Sequence, residues 1–322
     1  MSKKKKKKHI ILKIVIIVIL VIAALIIKRG YDLNWNWLAM LMGHNKETRM
    51  NLEPMEVLIL GESTGSTDTM LVCKYNPKEQ KASILSIPRD TFVGEDTNSA
   101  RPENKINSFY MWGGEEKTLE AVNKTTGLDT KYYILIDTNF IKELVDVIGG
   151  IDFDVPIDMK YTDKKQKLYI KLKKGKQHLN GEQVEWLVRF RHNNDGSTYP
   201  YEYGIEDYGR MRTQRAVMKI IAKQAIQLKN ITEINNMLDI FHNNVKTNMD
   251  IKELKDYVPY AMEMNIDEVP TEQLPGESKI LNGIWFFLKD DKKSKDVIDK
   301  LFKNNSNEEN KDQNNTSNNN TN

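Results

Sequence analysis

The chain has 322 residues, with 48 Lys plus Arg, 45 Asp plus Glu, five His and one Cys. At 39% hydrophobic and 29% charged, it has enough apolar residues for a sizeable core in one or two domains. A single cysteine excludes an internal disulfide framework, and no CxxC or HExxH spacing is present to hold zinc.

The formal charge of +3 hides an asymmetry. The first 29 residues carry nine cations (Lys3 to Lys8, Lys13, Lys28, Arg29) and no acid, which leaves 39 cations against 45 acids in the body. A body of that sign does not bind nucleic acid through bulk electrostatics, which needs a basic field. Residues 10–27 are almost wholly Ile, Leu, Val and Ala, long enough at ~1.5 Å per residue to cross most of a ~30 Å hydrocarbon core, with Lys13 snorkelling. No small-x-small cleavage site follows this run, so it reads as an uncleaved anchor. The lysines before it place the N-terminus in the cytoplasm and the rest of the chain outside the cell.

The predicted organisation is a basic cytoplasmic segment at 1–9, a transmembrane helix at 10–27, a stalk at 28–52, one α/β domain at 53–303 and a disordered Asn-rich tail at 304–322. Within the domain, Val57 to Leu60, Thr69 to Tyr75 and Ala82 to Ile87 are β-rich strand candidates. Glu116 to Thr126 is a helix closed by Gly127, Tyr132 to Asp137 a buried strand, and Phe140 to Ile148 a helix stopped by Gly149-Gly150. Helices follow at Glu182 to Arg191, Ile205 to Leu228, Ile231 to Phe241 and Ile251 to Met264, then a strand at Ile280 to Leu288 and a helix near Lys292 to Phe302. The expected fold is a central mixed sheet flanked by helices.

Three stretches carry chemistry. Between the first two strands, a Gly/Ser/Thr loop sets Glu62 and Asp68 near each other at a sheet edge, a placement of oxygen ligands that suits Mg²⁺. The same pattern is also that of an ordinary hairpin in which Asp68 satisfies turn amides. Next, Ser86-Ile87-Pro88-Arg89-Asp90-Thr91 ends a strand: Pro88 stops ladder pairing and presents Arg89 and Asp90 where α/β sheets often place ligand groups. A surface ion pair would give the same spelling.

The third stretch is Arg189-Phe190-Arg191 with Asp207-Tyr208-Gly209-Arg210-Met211-Arg212-Thr213-Gln214. An extended trio puts both guanidinium groups on one face with Phe190 buried opposite. On the long helix, Asp207, Arg210 and Gln214 share a sector of roughly 60°, and Arg212 falls nearly opposite. Planar, permanently charged forks beside an orienting acid suit a pyrophosphate, although a salt-bridged helix face explains part of the pattern. Val217, Ile220, Ile221 and Ala225 on the same helix offer either a wall for a lipid or plain core packing. The five histidines show no ligand spacing and read as surface or local-structure residues; Cys73 reads as a small core residue.

Together these pieces resemble the LytR–CpsA–Psr family of cell-wall glycopolymer transferases. The resemblance runs from about Glu56 to Asn248, through LILG with TDTM (Leu58 to Gly61, Thr67 to Met70), SIPRDT (Ser86 to Thr91) and KIN (Lys105 to Asn107). It continues in DVIGG (Asp146 to Gly150), LNGEQ with VRFR (Leu179 to Gln183, Val188 to Arg191) and DYGRMRTQ (Asp207 to Gln214). It implies an extracellular domain that binds a polyprenyl-pyrophosphate-linked glycan and, with Mg²⁺, transfers the phosphoglycan to peptidoglycan, with a pyrophosphatase side activity. By motif position it makes Arg89, Arg189, Arg191, Arg210 and Gln214 pyrophosphate ligands, Lys105 a further phosphate-side cation, Asp207 an orienting acid and Asp68 a magnesium ligand. Two departures stand out. Glu62-Ser63 replaces an Asp two residues after the first strand's glycine, leaving Glu62 as the substitute ligand, and Ser66 replaces an Arg. The alternatives are a non-catalytic envelope scaffold that keeps the fold, and a transcriptional regulator, which the anchor and acidic body oppose.

Overall fold

The structure, a computed structural model, describes residues 21–63, 65–225, 227 and 233–303. Most of the expected membrane segment, the tail at 304–322 and the end of the long helix at Leu228 lie outside the described residues. In chain order come helix α1 (described over 21–32), α2 (Trp37–Leu41), α3 (Lys46–Asn51), and strands β1 (Met55–Ser63), β2 (Ser66–Asn76) and β3 (Lys81–Ser86). Then follow α4 (Ser108–Thr126), β4 (Tyr132–Ile136), α5 (Thr138–Val147), β5 (Ile151–Val155), β6 (Met159–Asp163), β7 (Leu168–Leu172), β8 (Gly175–Leu179), α6 (Gly181–Arg189) and α7 (Glu206–Ala225). The chain continues with α8 (Ile234–Asn244), β9 (Val245–Thr247), α9 (Ile251–Ala261), β10 (Thr271–Gln273), β11 (Gly276–Leu281), β12 (Ile284–Lys289) and α10 (Asp291–Ile298). Among the described residues no helix is long and apolar enough to cross a membrane.

Six strands form one mixed sheet in the order β10-β3-β2-β1-β4-β9, with β1 antiparallel to β2 and parallel to β4. Strand alternation gives each face its own core. Leu58, Leu60, Tyr133 and Leu135 turn to one side, where they meet Ala121 and Val122 of α4 and Ile298 of α10. Ile59, Ile134 and Ile136 turn to the other, against Ile141 and Val145 of α5, Val184 and Leu187 of α6, and Val217 and Ile221 of α7. The antiparallel pair β5–β8 and the β6–β7 hairpin between them in sequence extend this second core, β5 and β7 alternating buried apolar residues with exposed ones. The expected mixed sheet flanked by helices is therefore present.

Several elements differ from their sequence reading. The segment 280–288, expected as one strand, is a hairpin: β11 and β12 pair through Asn282-Gly283, both at positive φ (51° and 78°). That is the pair a type I′ turn requires. Helix α4 joins two pieces: a short one from Ser108 and the expected helix through Glu116 to Thr126, separated by Gly113 and Gly114, whose backbone is non-helical (φ −163° and 68°).

The chain divides into two compact units. One takes in the described residues up to Pro54 together with Asn76–Gln80 and Ile251–Met264; the α/β sheet and its helices form the other. The first unit contains what reads in sequence as a stalk, and it is folded. Asn36 caps α2 through the Ala39 amide and donates to the Pro259 carbonyl of α9, both at 2.8 Å. His44, expected as a surface or local-structure residue, is buried at 6% exposure, with its ring stacked on Tyr260.

Candidate active site

The site begins with a register defect. In the β1–β2 ladder Gly61 opposes Thr69 while Glu62 opposes Thr67, so Asp68 is the extra residue of a β-bulge. A bulge re-aims a side chain, and here it directs the Asp68 carboxylate to Arg89 Nη1 at 2.5 Å and Arg210 Nη1 at 3.6 Å. Gly61 fits because a Cβ there would lie 2.9 Å from the Thr69 Cβ.

Arg89 is held by the turn after β3. The Thr91 amide and hydroxyl both donate to the Pro88 carbonyl (3.0 and 2.5 Å), and the Arg89 carbonyl accepts from the Asn107 amide at 3.2 Å. The guanidinium faces three carboxylates: Asp68, Asp207 (3.6 Å) and Asp90 (3.7 Å). Burial works against its charge, but Asp207, Asp68 and Asp90 outweigh it and hold Arg89 above the ordinary arginine value. Lys105 Nζ donates to Asp90 at 2.7 Å and stands over the Phe286 ring. Lys105 does not line the pocket; it fixes the acid beside Arg89.

Helix α6 ends at Arg189, so the Arg189–Phe190–Arg191 trio is not a continuous extended strand. Phe190 is the extended C-cap and is fully buried, and Tyr199 donates its hydroxyl to the Phe190 carbonyl at 3.0 Å. That clamp fixes the arginines on either side. Arg189 donates to Glu185 (2.9 Å) and to Gln166 (2.8 Å), and Arg191 to Glu206 (3.1 Å). On α7, Arg210 lies 2.5 Å from Asp207, an ion contact without hydrogen-bond alignment. Gln214 accepts from the Thr69 hydroxyl at 2.9 Å and donates to the Val188 carbonyl at 3.1 Å. Gly209 is required by packing: a Cβ there would be 2.2 Å from the Gly204 carbonyl and from the Tyr199 ring. Arg212 turns away, over the Tyr203 ring at 4.5 Å.

A cavity of about 390 Å³ lies between these groups. Its lining is mixed: charged and polar groups that include Glu62, Asp68, Arg89, Arg189, Arg191, Arg210 and Gln214, and the aliphatic side chains of Ile59, Leu71, Ile136, Ile141, Leu168, Val188, Val217 and Met218. Of the α7 residues considered for a lipid wall, Val217 alone lines it, joined by Met218; Ile221 is buried in the core. Nε of Arg89, Nε of Arg191 and Nε and Nη2 of Arg210 are buried with no hydrogen-bond acceptor among the described residues. Arg210 Nη2 has Asp207 at 2.5 Å, and Arg89 Nε has Asp207 and Asp90 at 3.6 and 3.7 Å; the guanidinium charges so held along the cavity wall suit an anionic ligand. Asp207 and Asp90 sit behind that wall.

Glu62 lines the cavity, but its carboxylate accepts from the Gly65 amide (3.2 Å) and is hydrogen-bonded to Tyr110. Burial first, then Glu62, raises the Tyr110 phenol pKa. Among the described residues no group of three or more His, Cys, Asp or Glu side chains forms a dedicated metal site. The sequence reading did not single out Gln166, Tyr110 and His192, the last of which lines the cavity and is no bystander histidine. Its position directly after Arg191 was the available signal.

The chain belongs to the LytR_cpsA_psr family, whose model matches residues 37–303. A relative from Bacillus mycoides, named polyisoprenyl-teichoic acid–peptidoglycan teichoic acid transferase TagU, is 29% identical over 257 residues, 77% of this chain and 78% of that one. The crystal structure of TagV from B. subtilis superposes with a TM-score of 0.61 at 27% identity, covering 77% of this chain and 97% of that one. A structure from Enterococcus faecalis described as transcriptional regulator EF0465 gives the same TM-score and identity over 79% and 89%.

Proposed function

We propose that this protein is a membrane-anchored transferase that moves an anionic glycopolymer from a polyprenyl-pyrophosphate carrier to peptidoglycan, outside the cell, with its N-terminus in the cytoplasm. The observation that carries this is the mixed lining of one cavity. Guanidinium groups from three separate stretches of chain and a set of aliphatic side chains line it together, which suits a pyrophosphate joined to a lipid. The relatives' names supply the polymer and the acceptor.

In the reaction an acceptor hydroxyl attacks the phosphorus next to the glycan. The new O–P bond forms, the bridging P–O bond breaks, polyprenyl phosphate leaves, and the hydroxyl proton passes to a base or to water. Arg89, Arg189, Arg191 and Arg210 offset charge on the transferring and leaving phosphates, the main task in phosphoryl transfer. Asp207 and Asp90, behind the cavity wall, orient Arg89 and Arg210. Asp68 is the carboxylate that would hold Mg²⁺, with Glu62 on the same wall. One or two carboxylates, the rest of the shell coming from phosphate and water, is the usual provision for that ion. The ion would neutralise phosphate charge. A pyrophosphatase side activity follows if water takes the acceptor's place.

A non-catalytic scaffold is the second reading, favoured by Glu62 being engaged by Gly65 and Tyr110. Release of polyprenyl phosphate from a lipid-linked glycan, with and without Mg²⁺, separates the two. The transferase reading expects activity in the wild type and its loss in Arg89→Ala and Asp68→Ala; equal signals in all three would remove the site. A regulator that binds DNA would show a salt-dependent titration, which the acidic body opposes.

A further inference from the structure

The outward face of the β6–β7 hairpin carries charge that the transfer site does not use. Residues 158–174 contain seven lysines, all exposed, and two acids. Both acids are occupied: Asp163 accepts from the Lys165 and Gln166 amides, and Asp158 accepts from the Lys174 amide and pairs with Lys173 at 3.2 Å. Among the described residues none of the other six lysines has a carboxylate within 4.0 Å. Asp195, whose charge couples to Lys160, is engaged by Ser197.

Lys160 and Lys171 stand directly opposite each other in the strand register, a like-charge pair that costs stability unless an anion is shared between them. Lys164, Lys165 and Lys167 continue the charge around the turn. Same-face positions recur about every 7 Å along a strand, so the hairpin offers a row of cations and not one focus.

The turn end of this row adjoins the cavity: Gln166, between Lys165 and Lys167, lines it and accepts from Arg189, whereas Lys160 and Lys171 lie on the outer face, opposite the cavity-lining Tyr161 and Leu168. The hairpin's aliphatic residues Leu168, Ile170 and Leu172 are buried, and outside them Tyr169 is the one large ring exposed. An element built to enter a lipid interface would turn such residues outward. A repeating polyanion fits better, and the acidic body would otherwise repel it.

We propose that the lysine face of β6–β7 is a binding track for the phosphate-rich backbone of the polymer being transferred, reaching the cavity at the 164–167 turn, beside Arg189. The proposal rests on the transferase reading and extends it to a site for the polymer chain beyond the pyrophosphate.

The test uses the full chain in detergent, as wild type and as the triple variant Lys160→Gln, Lys164→Gln, Lys171→Gln, with melting at or above the wild-type value as the folding control. The probes are lipid-free poly(glycerol phosphate), dextran, and phosphatidylcholine vesicles with and without phosphatidylglycerol. The wild type should bind the polyanion with salt-dependent affinity. The variant should bind at least about tenfold more weakly, with a log–log salt slope smaller by about 2, at ~0.7 per lost contact. Neither should bind dextran. Transfer of a short uncharged oligosaccharide from its lipid pyrophosphate should be the same in both proteins, and its absence in the wild type would count against the transferase reading alone. Equal polyanion binding by both proteins overturns the track. So does vesicle binding lost in the variant while polymer binding stays intact, which would assign the face to the membrane.

Discussion

The Arg210–Asp207 pair offers the sharpest test of the site. Its side chains are 8% and 21% exposed and 2.5 Å apart. At an effective dielectric of ~20, charges at such range attract by about 6 to 7 kcal/mol before desolvation is counted. Removing one partner of a buried pair costs about 3 to 5 kcal/mol, mostly through the charge left behind. In Asp207→Asn, however, Arg210 keeps Asp68 at 3.6 Å, which lowers the expected loss to about 2 to 3 kcal/mol. At ~2 to 4 °C per kcal/mol for a domain of this size, melting should fall by about 5 to 10 °C. Arg210→Met leaves Asp207 with Arg89 at 3.6 Å and should cost a similar amount. Combining the two substitutions removes both charges and replaces a buried pair by uncharged groups, which is often neutral for stability. The double variant should therefore melt within about 3 °C of wild type, yet transfer at least ~100-fold more slowly for want of the Arg210 donors. Differential scanning calorimetry and polyprenyl phosphate release are the two measurements. Additive losses in the double variant would refute the coupling and the claim that the pair is retained for function.

Other outcomes follow from the same geometry. Arg89→Lys keeps the charge but loses the fork shared among three acids, so release should fall ~10- to 100-fold with melting little changed. Gly209→Ala must displace α7 from Gly204 and Tyr199, and should lower both stability, by about 2 kcal/mol or more, and release. Asp68→Asn should abolish the response of release to added Mg²⁺, whereas Asp90→Asn, with its acid behind the wall, should slow release yet keep that response; the metal titration distinguishes them. Burial pushes the Cys73 thiol up to about 12. The folded state therefore holds a proton that the unfolded chain releases above ~9, so Cys73 should lower stability as pH rises from ~9 toward ~12, by up to ~1.4 kcal/mol per unit. Replacing Cys73 by Ala should flatten that limb in denaturant titrations.

What the sequence made legible was whatever one element decides alone. The sector holding Asp207, Arg210 and Gln214, and the exclusion of Arg212, are consequences of helical period, and α7 obeys it. The loop arginine was legible because Pro88 must end a ladder. What stayed hidden is decided between elements. The bulge that aims Asp68 exists only in the β1–β2 register, and a period-two reading of the strand has no place for it. His44 becomes a buried residue only through Tyr260, 216 positions away. The Asn282-Gly283 turn was written plainly, yet the surrounding run of Ile, Trp, Phe and Leu outweighed it in a one-strand reading. The lysine hairpin belongs to a third kind. Each lysine is ordinary on its own, and only the pairing that sets Lys160 against Lys171 on the outer face, with a turn that reaches Arg189 through Gln166, gives them a shared direction. Local rules thus reveal which side chains can carry charge. Register and packing decide which of those charges meet, and the proposed pyrophosphate site is where guanidinium groups from three stretches do so.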